Sequence, residues 1–269
     1  MSAAVEIAAG GRAYAIEYAW VGPAAGRPVV FLHEGLGSIS MWKDFPARLC
    51  DALGMRGLVY SRPGYGRSTP RPADERWGVD FMHVQANVVL PALLAALRVP
   101  AHPWLFGHSD GASIALLYAA AHPGAVEGVV ALAPHLFVED VGVESIAAIR
   151  NVYLTTDLRA RLARHHDDPD SAFFGWNDIW LDPAFRAWNI EAEVERIRCP
   201  VLAIQGEDDE YGTMRQLDRL GALVPGARRV ELAACGHSPH RDRPREVIEA
   251  FERFLHDRAI DGAAGRAGG

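Results

Sequence analysis

Three cysteines in 269 residues, Cys50, Cys199 and Cys235, are too few and too widely spaced for a disulfide framework. Their number is odd and no C-x-x-C pair is present, so the thiols read as reduced and no metal site is indicated. Positive charge is also scarce. The 27 Lys and Arg against 34 Asp and Glu leave a net charge of −7, which argues against a nucleic-acid partner. No apolar run is long enough to span a bilayer, and no basic leader with an apolar stretch opens the sequence. The expectation is a soluble cytoplasmic protein without membrane association. Internal repeats are missing too, and nothing in the sequence sets an oligomeric state. What the chain has in quantity is apolar residue, 49%, enough to fill one large domain or two small ones.

Short apolar runs alternate with helical stretches. Residues 4–8 and 13–20 read as a hairpin turned at Gly10-Gly11. The runs 29–32, 57–60, 103–106, 126–133, 201–204 and 229–232 read as strands, and the all-apolar 29–32 is of the kind buried on both faces of a parallel sheet. Helices are predicted over 41–53 (stopped by Gly54), 81–97 (bent or divided by Pro91), 112–121, 214–223 and 245–257. This rhythm predicts an α/β fold, a mostly parallel sheet with helices on both faces. Residues 136–196 break it. They show helical stretches without a strong strand and carry Phe173, Phe174, Trp176, Trp180, Phe185 and Trp188. A helical insertion over the sheet is expected there, its aromatics packing it down or lining a pocket. The implied division is core 1–135, helical cap 136–196, core again 197–258, and a Gly/Ala-rich tail, 259–269, that composition marks as disordered.

The chemistry is signalled by Gly107-His108-Ser109-Asp110-Gly111, a G-x-S-x-G pattern between the strand 103–106 and the helix 112–121. Strand, sharp turn and helix are the context in which this pattern becomes a nucleophile elbow. The serine sits on strained backbone flanked by small residues, and the next helix points its N-terminus at charge forming on the substrate. A serine also needs a base, and the base an orienting group. Two segments after later strands offer them: Gln205-Gly206-Glu207-Asp208-Asp209-Glu210 and Cys235-Gly236-His237-Ser238-Pro239-His240. Both lie at carboxyl ends of strands, where open α/β sheets build their sites.

With His33-Glu34-Gly35-Leu36-Gly37 added, the chain from about residue 21 to 256 resembles an α/β-hydrolase with a cap. The resemblance implies Ser109 as nucleophile, His237 as general base and Asp209 as acid, three residues after the loop glycine. Asp208, Glu207 and Glu210 compete for the acid role, as do Glu139 or Asp140 after the preceding strand. It also implies an oxyanion hole from the backbone N–H groups of Asp110 and Gly35, with Trp42 at a position where such proteins often keep an aromatic. His240 and His108 are read as structural or as pocket wall, and His165-His166 as exposed. Two departures stand out. Glu34 replaces a usual glycine, and Ser61-Arg62 replaces a frequent Asp-Arg. The Glu34 and Asp110 side chains are expected to turn away toward backbone amides or Arg62. Glu34, Trp176 and Trp180 are candidate substrate contacts.

The implied reaction is acyl transfer to Ser109 and hydrolysis of the acyl-enzyme, on a small-molecule substrate and without metal or organic cofactor. A carboxylic ester of a small to medium apolar or aromatic compound is the expected substrate. C–C bond hydrolysis of a ring-fission type product, thioesterase and lactonase activities use the same groups, although Ser238 stands where the C–C hydrolases commonly carry Trp. A non-catalytic binder on the same fold is the reading from a different class.

Overall fold

The computed structural model describes residues 2–267, with the side chains of 259–267 outside the description. In chain order the strands are β1 (Ala3–Ala9), β2 (Arg12–Val21), β3 (Arg27–Leu32), β4 (Met55–Tyr60), β5 (Trp104–His108), β6 (Gly128–Leu132), β7 (Val201–Gly206) and β8 (Arg228–Leu232). They form one sheet in the order β1-β2-β4-β3-β5-β6-β7-β8. β1 and β2 run antiparallel to their neighbours, and the six strands from β4 to β8 are parallel.

The all-apolar strands divide their side chains between two cores, as the two-residue period requires. Val29, Phe31, Trp104, Phe106, Val130, Leu132, Leu202 and Ile204 face α1 (Phe45–Leu53) and the last helix. Val30, Leu32, Leu105, Val129, Ala131, Val201 and Ala203 face the opposite side, where α4 (Asp110–Ala121) packs with α2 (Phe81–Val84) and α3 (Leu90–Ala96). α4 is buried along nearly its whole length and carries no polar face, so only a two-sided cover accounts for its composition.

The helix expected over 41–53 begins later. Residues Ile39–Trp42 form a 3₁₀ turn, Lys43 takes φ 54°, and α1 starts with Pro46 in its first turn. The helix over 81–97 is divided, though upstream of Pro91 rather than at it. A π-helical stretch, Gln85–Val89, separates α2 from α3, and Pro91 falls in the first turn of α3, where its missing N–H costs nothing.

Between β6 and β7 the chain forms α5 (Asp140–Thr155), α6 (Leu158–Leu162), α7 (Pro169–Trp180) and α8 (Glu191–Val194). After β7 come α9 (Arg215–Leu223), then α10 (Pro239–Asp242) and α11 (Pro244–Ala267). The backbone of α11 runs beyond residue 257. The disordered tail expected over 259–269 falls among residues whose side chains are not described.

The departure at Ser61 has a structural answer. Its hydroxyl donates to Glu17 Oε2 on β2 at 2.8 Å and accepts from the Ile39 amide at 3.1 Å, and the same Glu17 oxygen accepts from the Arg67 amide. A carboxylate from the neighbouring strand thus organises the loop where an aspartate at position 61 would otherwise do so.

Candidate active site

Ser109 lies between the end of β5 and the start of α4, with φ 53° and ψ −121°. That region is disfavoured for a residue with a Cβ, and packing holds the residue in it. The Ser109 amide donates to Leu132 O on β6 at 2.9 Å. A Cβ on Gly107 would meet Gly111 O at 2.3 Å, and one on Gly111 would meet Leu32 O at 2.0 Å. Both glycines are therefore required by close backbone approach, which brings α4 tight against β3 and lifts the serine above the strand ends.

Two loops bring partners to it. Ser109 Oγ is 2.9 Å from His237 Nε2, and His237 Nδ1 is 2.8 Å from Asp209 Oδ1. The Asp209 carboxylate also accepts from the amides of Tyr211 at 2.9 Å and Gly212 at 3.3 Å, and from Gln205 Nε2 at 3.1 Å. Burial opposes its ionisation, but the charge and hydrogen bond of His237 outweigh burial and hold its pKa below the usual carboxylate value. For His237 burial works against protonation, yet Asp209 and more distant carboxylates raise its pKa above 6.5.

The competing acids are elsewhere. Glu210 Oε2 accepts from the His237 amide at 3.1 Å rather than from the ring. Glu139 is tied to Thr213 and Gln216 at the start of α9, and Asp140 pairs with Arg186. The Asp208 amide bonds to Cys235 O, which helps to fold the acidic loop against the histidine loop.

Gly35, Asp110, Glu34, Trp176 and Trp180 all line one cavity of about 230 Å³ with Ser109 and His237. Its other walls include His108, His135, Ile146, Tyr211 and Arg241. A second cavity, about 160 Å³, lies between the β1–β2 hairpin and Trp77, and neither Ser109 nor His237 borders it.

The two acids beside the serine behave differently. Asp110 is fully buried, accepts from Trp180 Nε1 at 3.2 Å and stands 3.9 Å from the Arg62 guanidinium. Burial pushes its pKa up to about 6 against the pull of Arg62. Asp110 stands beside Arg62 as expected, but its hydrogen-bond donor is Trp180 of the cavity wall rather than a backbone amide. Glu34 departs from that expectation. Arg62 Nη2 donates to the Glu34 backbone carbonyl at 2.8 Å, so the guanidinium is used on the main chain. The Glu34 carboxylate stays at the cavity wall, 3.6 Å from His108 Nδ1. Burial disfavours its charged form, but His108, with His33 and His240 further off, holds its pKa well below the carboxylate range.

His108 and His240 have packing roles as expected. His108 Nε2 donates to the His237 carbonyl at 2.7 Å, and His240 is buried against Trp42 and His108. His166 was expected to be exposed and is instead buried. It accepts from the Gly66 amide at 2.9 Å and donates to Leu36 O at 3.1 Å, joining the insertion to two site loops. Those backbone partners, invisible in sequence, stabilise a buried neutral imidazole whose pKa burial lowers to about 4.

Sequence reasoning also missed His135, three residues beyond β6, whose Nε2 is 3.4 Å from Ser109 Oγ. The only sequence signal was its place just after a strand end, on the same edge as the other site residues.

A profile of the alpha/beta hydrolase family matches residues 29–250. The chain is similar to a putative carbamate hydrolase, RutD, of Caulobacter vibrioides, 29% identical and covering 87% of this chain and 92% of that protein. It is also similar to 2-succinyl-6-hydroxy-2,4-cyclohexadiene-1-carboxylate synthase of an Enterobacter species, 24% identical over 88% of this chain and 96% of the other. Among solved structures, a carboxylesterase of Nitrososphaera gargenis shares the fold with a TM-score of 0.75 at 21% identity, over 96% of this chain and all of that one. With its sheet order, elbow and family match, this chain belongs to the alpha/beta hydrolase family.

Proposed function

We propose that the protein is a serine hydrolase that cleaves carboxylic esters of small to medium uncharged substrates, apolar or aromatic, through an acyl-enzyme. The observation that carries this reading is the continuous chain from Ser109 Oγ through His237 to Asp209, at 2.9 and 2.8 Å, ending on a serine at φ 53°. Ser109 attacks the carbonyl carbon as His237 Nε2 takes its proton, and Asp209 holds the imidazolium by its Nδ1–H. The amides of Asp110 and Gly35 receive the oxyanion. His237 then protonates the leaving group, and water repeats the sequence to release the acid. An ionised Glu34 on the wall disfavours anionic substrates, and Trp176 with Trp180 supplies apolar surface beneath the insertion acting as a cap.

Hydrolysis of p-nitrophenyl esters from acetate to octanoate, with benzoate, tests the reading. Turnover that vanishes in Ser109→Ala supports it, and the chain-length profile sizes the cavity. A wild-type protein that cleaves none of them refutes it.

Two further outcomes are expected. The base works only when unprotonated, and His237 has a raised pKa, so kcat/KM falls as pH drops through a value above 6.5 and is flat above it. A limb below 6.5 would contradict the Asp209–His237 coupling. Gly35→Ala would place a methyl 2.1 Å from Trp176 Nε1, a rigid ring that cannot yield as a flexible side chain does. The proposed oxyanion loop must shift, and kcat should fall about 10²-fold, the scale of one lost oxyanion donor. An unchanged kcat in this variant removes Gly35 from the role.

A further inference from the structure

His135 is held more firmly than a wall residue needs. Its backbone amide accepts no freedom: it donates to Ser113 Oγ at 3.0 Å, and the same hydroxyl donates to His135 O at 2.7 Å. Ser113 lies one turn beyond Ser109 on α4, so the helix that carries the serine also fixes the histidine. The ring stands edge-on to Trp180, with centroids 5.0 Å apart, and its Nε2 is 3.4 Å from Ser109 Oγ.

Proton counting fixes the direction of that contact. A serine hydroxyl has one hydrogen. His237 gives its Nδ1–H to ionised Asp209, so its Nε2 accepts, and the Ser109 hydrogen points there. The hydrogen for the His135 contact must then come from His135, as Nε2–H donating to a lone pair of Oγ. Among the described residues no carboxylate hydrogen-bonds to His135, and burial together with the neighbouring His237 outweighs the pull of Asp209 and lowers its pKa to about 3. It is a neutral donor that keeps its proton through the reaction.

We propose that His135 is a further catalytic residue, an Nε2–H donor to Ser109 Oγ that accelerates breakdown of the acyl-enzyme. The proposal rests on the acyl-enzyme reading above. In the free enzyme Oγ is already a good acceptor, so the bond is present before attack and gains little in the acylation transition state. In the acyl-enzyme Oγ is an ester oxygen and a weak acceptor. Water adds to the acyl carbon and passes a proton to His237 Nε2. The C–Oγ bond then breaks, its electron pair goes to Oγ, and Oγ takes the proton back from His237. Negative charge grows on Oγ in this last step, and the His135 bond strengthens only there. Interactions stronger in the transition state than in the ground state are the ones that raise a rate.

Pre-steady-state hydrolysis of p-nitrophenyl butyrate separates the two steps. His135→Phe keeps a ring against Trp180 and removes the donor. It should slow deacylation about tenfold or more, on the scale of a lost donor to a developing oxyanion, and leave acylation within about threefold. His135→Gln keeps an N–H donor and should recover most of the deacylation rate. Equal loss in both steps, or no loss, overturns the proposal, because a structural role would not split them. Nitrogen-15 NMR of histidine-labelled wild-type protein gives a second answer that needs no turnover. A proton on Nε2 of His135 supports the assignment, and one on Nδ1 overturns it. Intact-mass analysis and peptide mapping of wild-type protein treated with a p-nitrophenyl dialkyl phosphate, whose adduct does not turn over, check the underlying reading on its own: no covalent adduct on Ser109 brings down the ester mechanism, whatever tautomer the NMR reports.

Discussion

Ser109→Ala is expected to lower kcat by about 10⁴-fold or more while leaving a folded protein. Groups that act as one unit lose nearly all their effect when one is removed, and what remains comes from binding and the oxyanion donors. The structure favours a clean result. The Ser109 amide bond to Leu132 O is a backbone contact that alanine retains, and Gly107 and Gly111 set the turn by backbone approach. The variant should show the wild-type far-ultraviolet spectrum and an unfolding temperature within a few degrees. His237→Ala should match it in kcat. Appreciable turnover in either variant, measured with freshly prepared protein and the same p-nitrophenyl ester, would refute the proposed nucleophile and base.

Asp209→Asn is expected to cost less, about 10²-fold in kcat. An asparagine that presents its amide hydrogen to the histidine enforces the wrong tautomer, which in serine hydrolases costs about 10⁴-fold. Here the Tyr211 and Gly212 amides donate to the same Oδ1 that faces His237. They should pin the asparagine oxygen at that position, so His237 keeps its Nδ1–H and its Nε2 stays an acceptor. What disappears is the charge that stabilises the imidazolium. With the raising influence of Asp209 gone and burial left, the His237 pKa falls. The acidic limb of kcat/KM must then move to lower pH as kcat drops. Asp208→Asn, at an exposed position, should change kcat by less than about twofold by the usual size of surface substitutions. A damaging Asp208→Asn beside a mild Asp209→Asn would reverse the acid assignment.

These predictions depend on information of two kinds. The strand–turn–helix order around Ser109 was legible in the sequence because it is local: apolar runs of fixed length, glycines on both sides and an Ala-rich helix behind. The parallel sheet was legible for the same reason, since a strand buried on both faces has no polar alternation to hide it. Boundaries were less so. Position 43, where the chain kinks before α1, and the π-helical stretch before Pro91 are settled by packing against neighbours rather than by propensity.

The sequence by itself determined the sheet and the strand–turn–helix elbow, because these follow from periodicity and turn chemistry along the chain, and the resemblance of its motifs implied the family and the chain order of serine, acid and histidine. Only the tertiary structure decided which carboxylate of the 205–210 run meets His237, since four acids in six residues differ in direction and not in type. It also decided that Arg62 spends its guanidinium on the Glu34 carbonyl and leaves that carboxylate at the cavity wall. The histidines show the same limit most plainly. His166 bridges backbone groups 100 and 130 residues away, and His135 reaches Ser109 from the next strand end. A side chain's neighbours across a sheet are set by strand order, and strand order is a property of the folded chain.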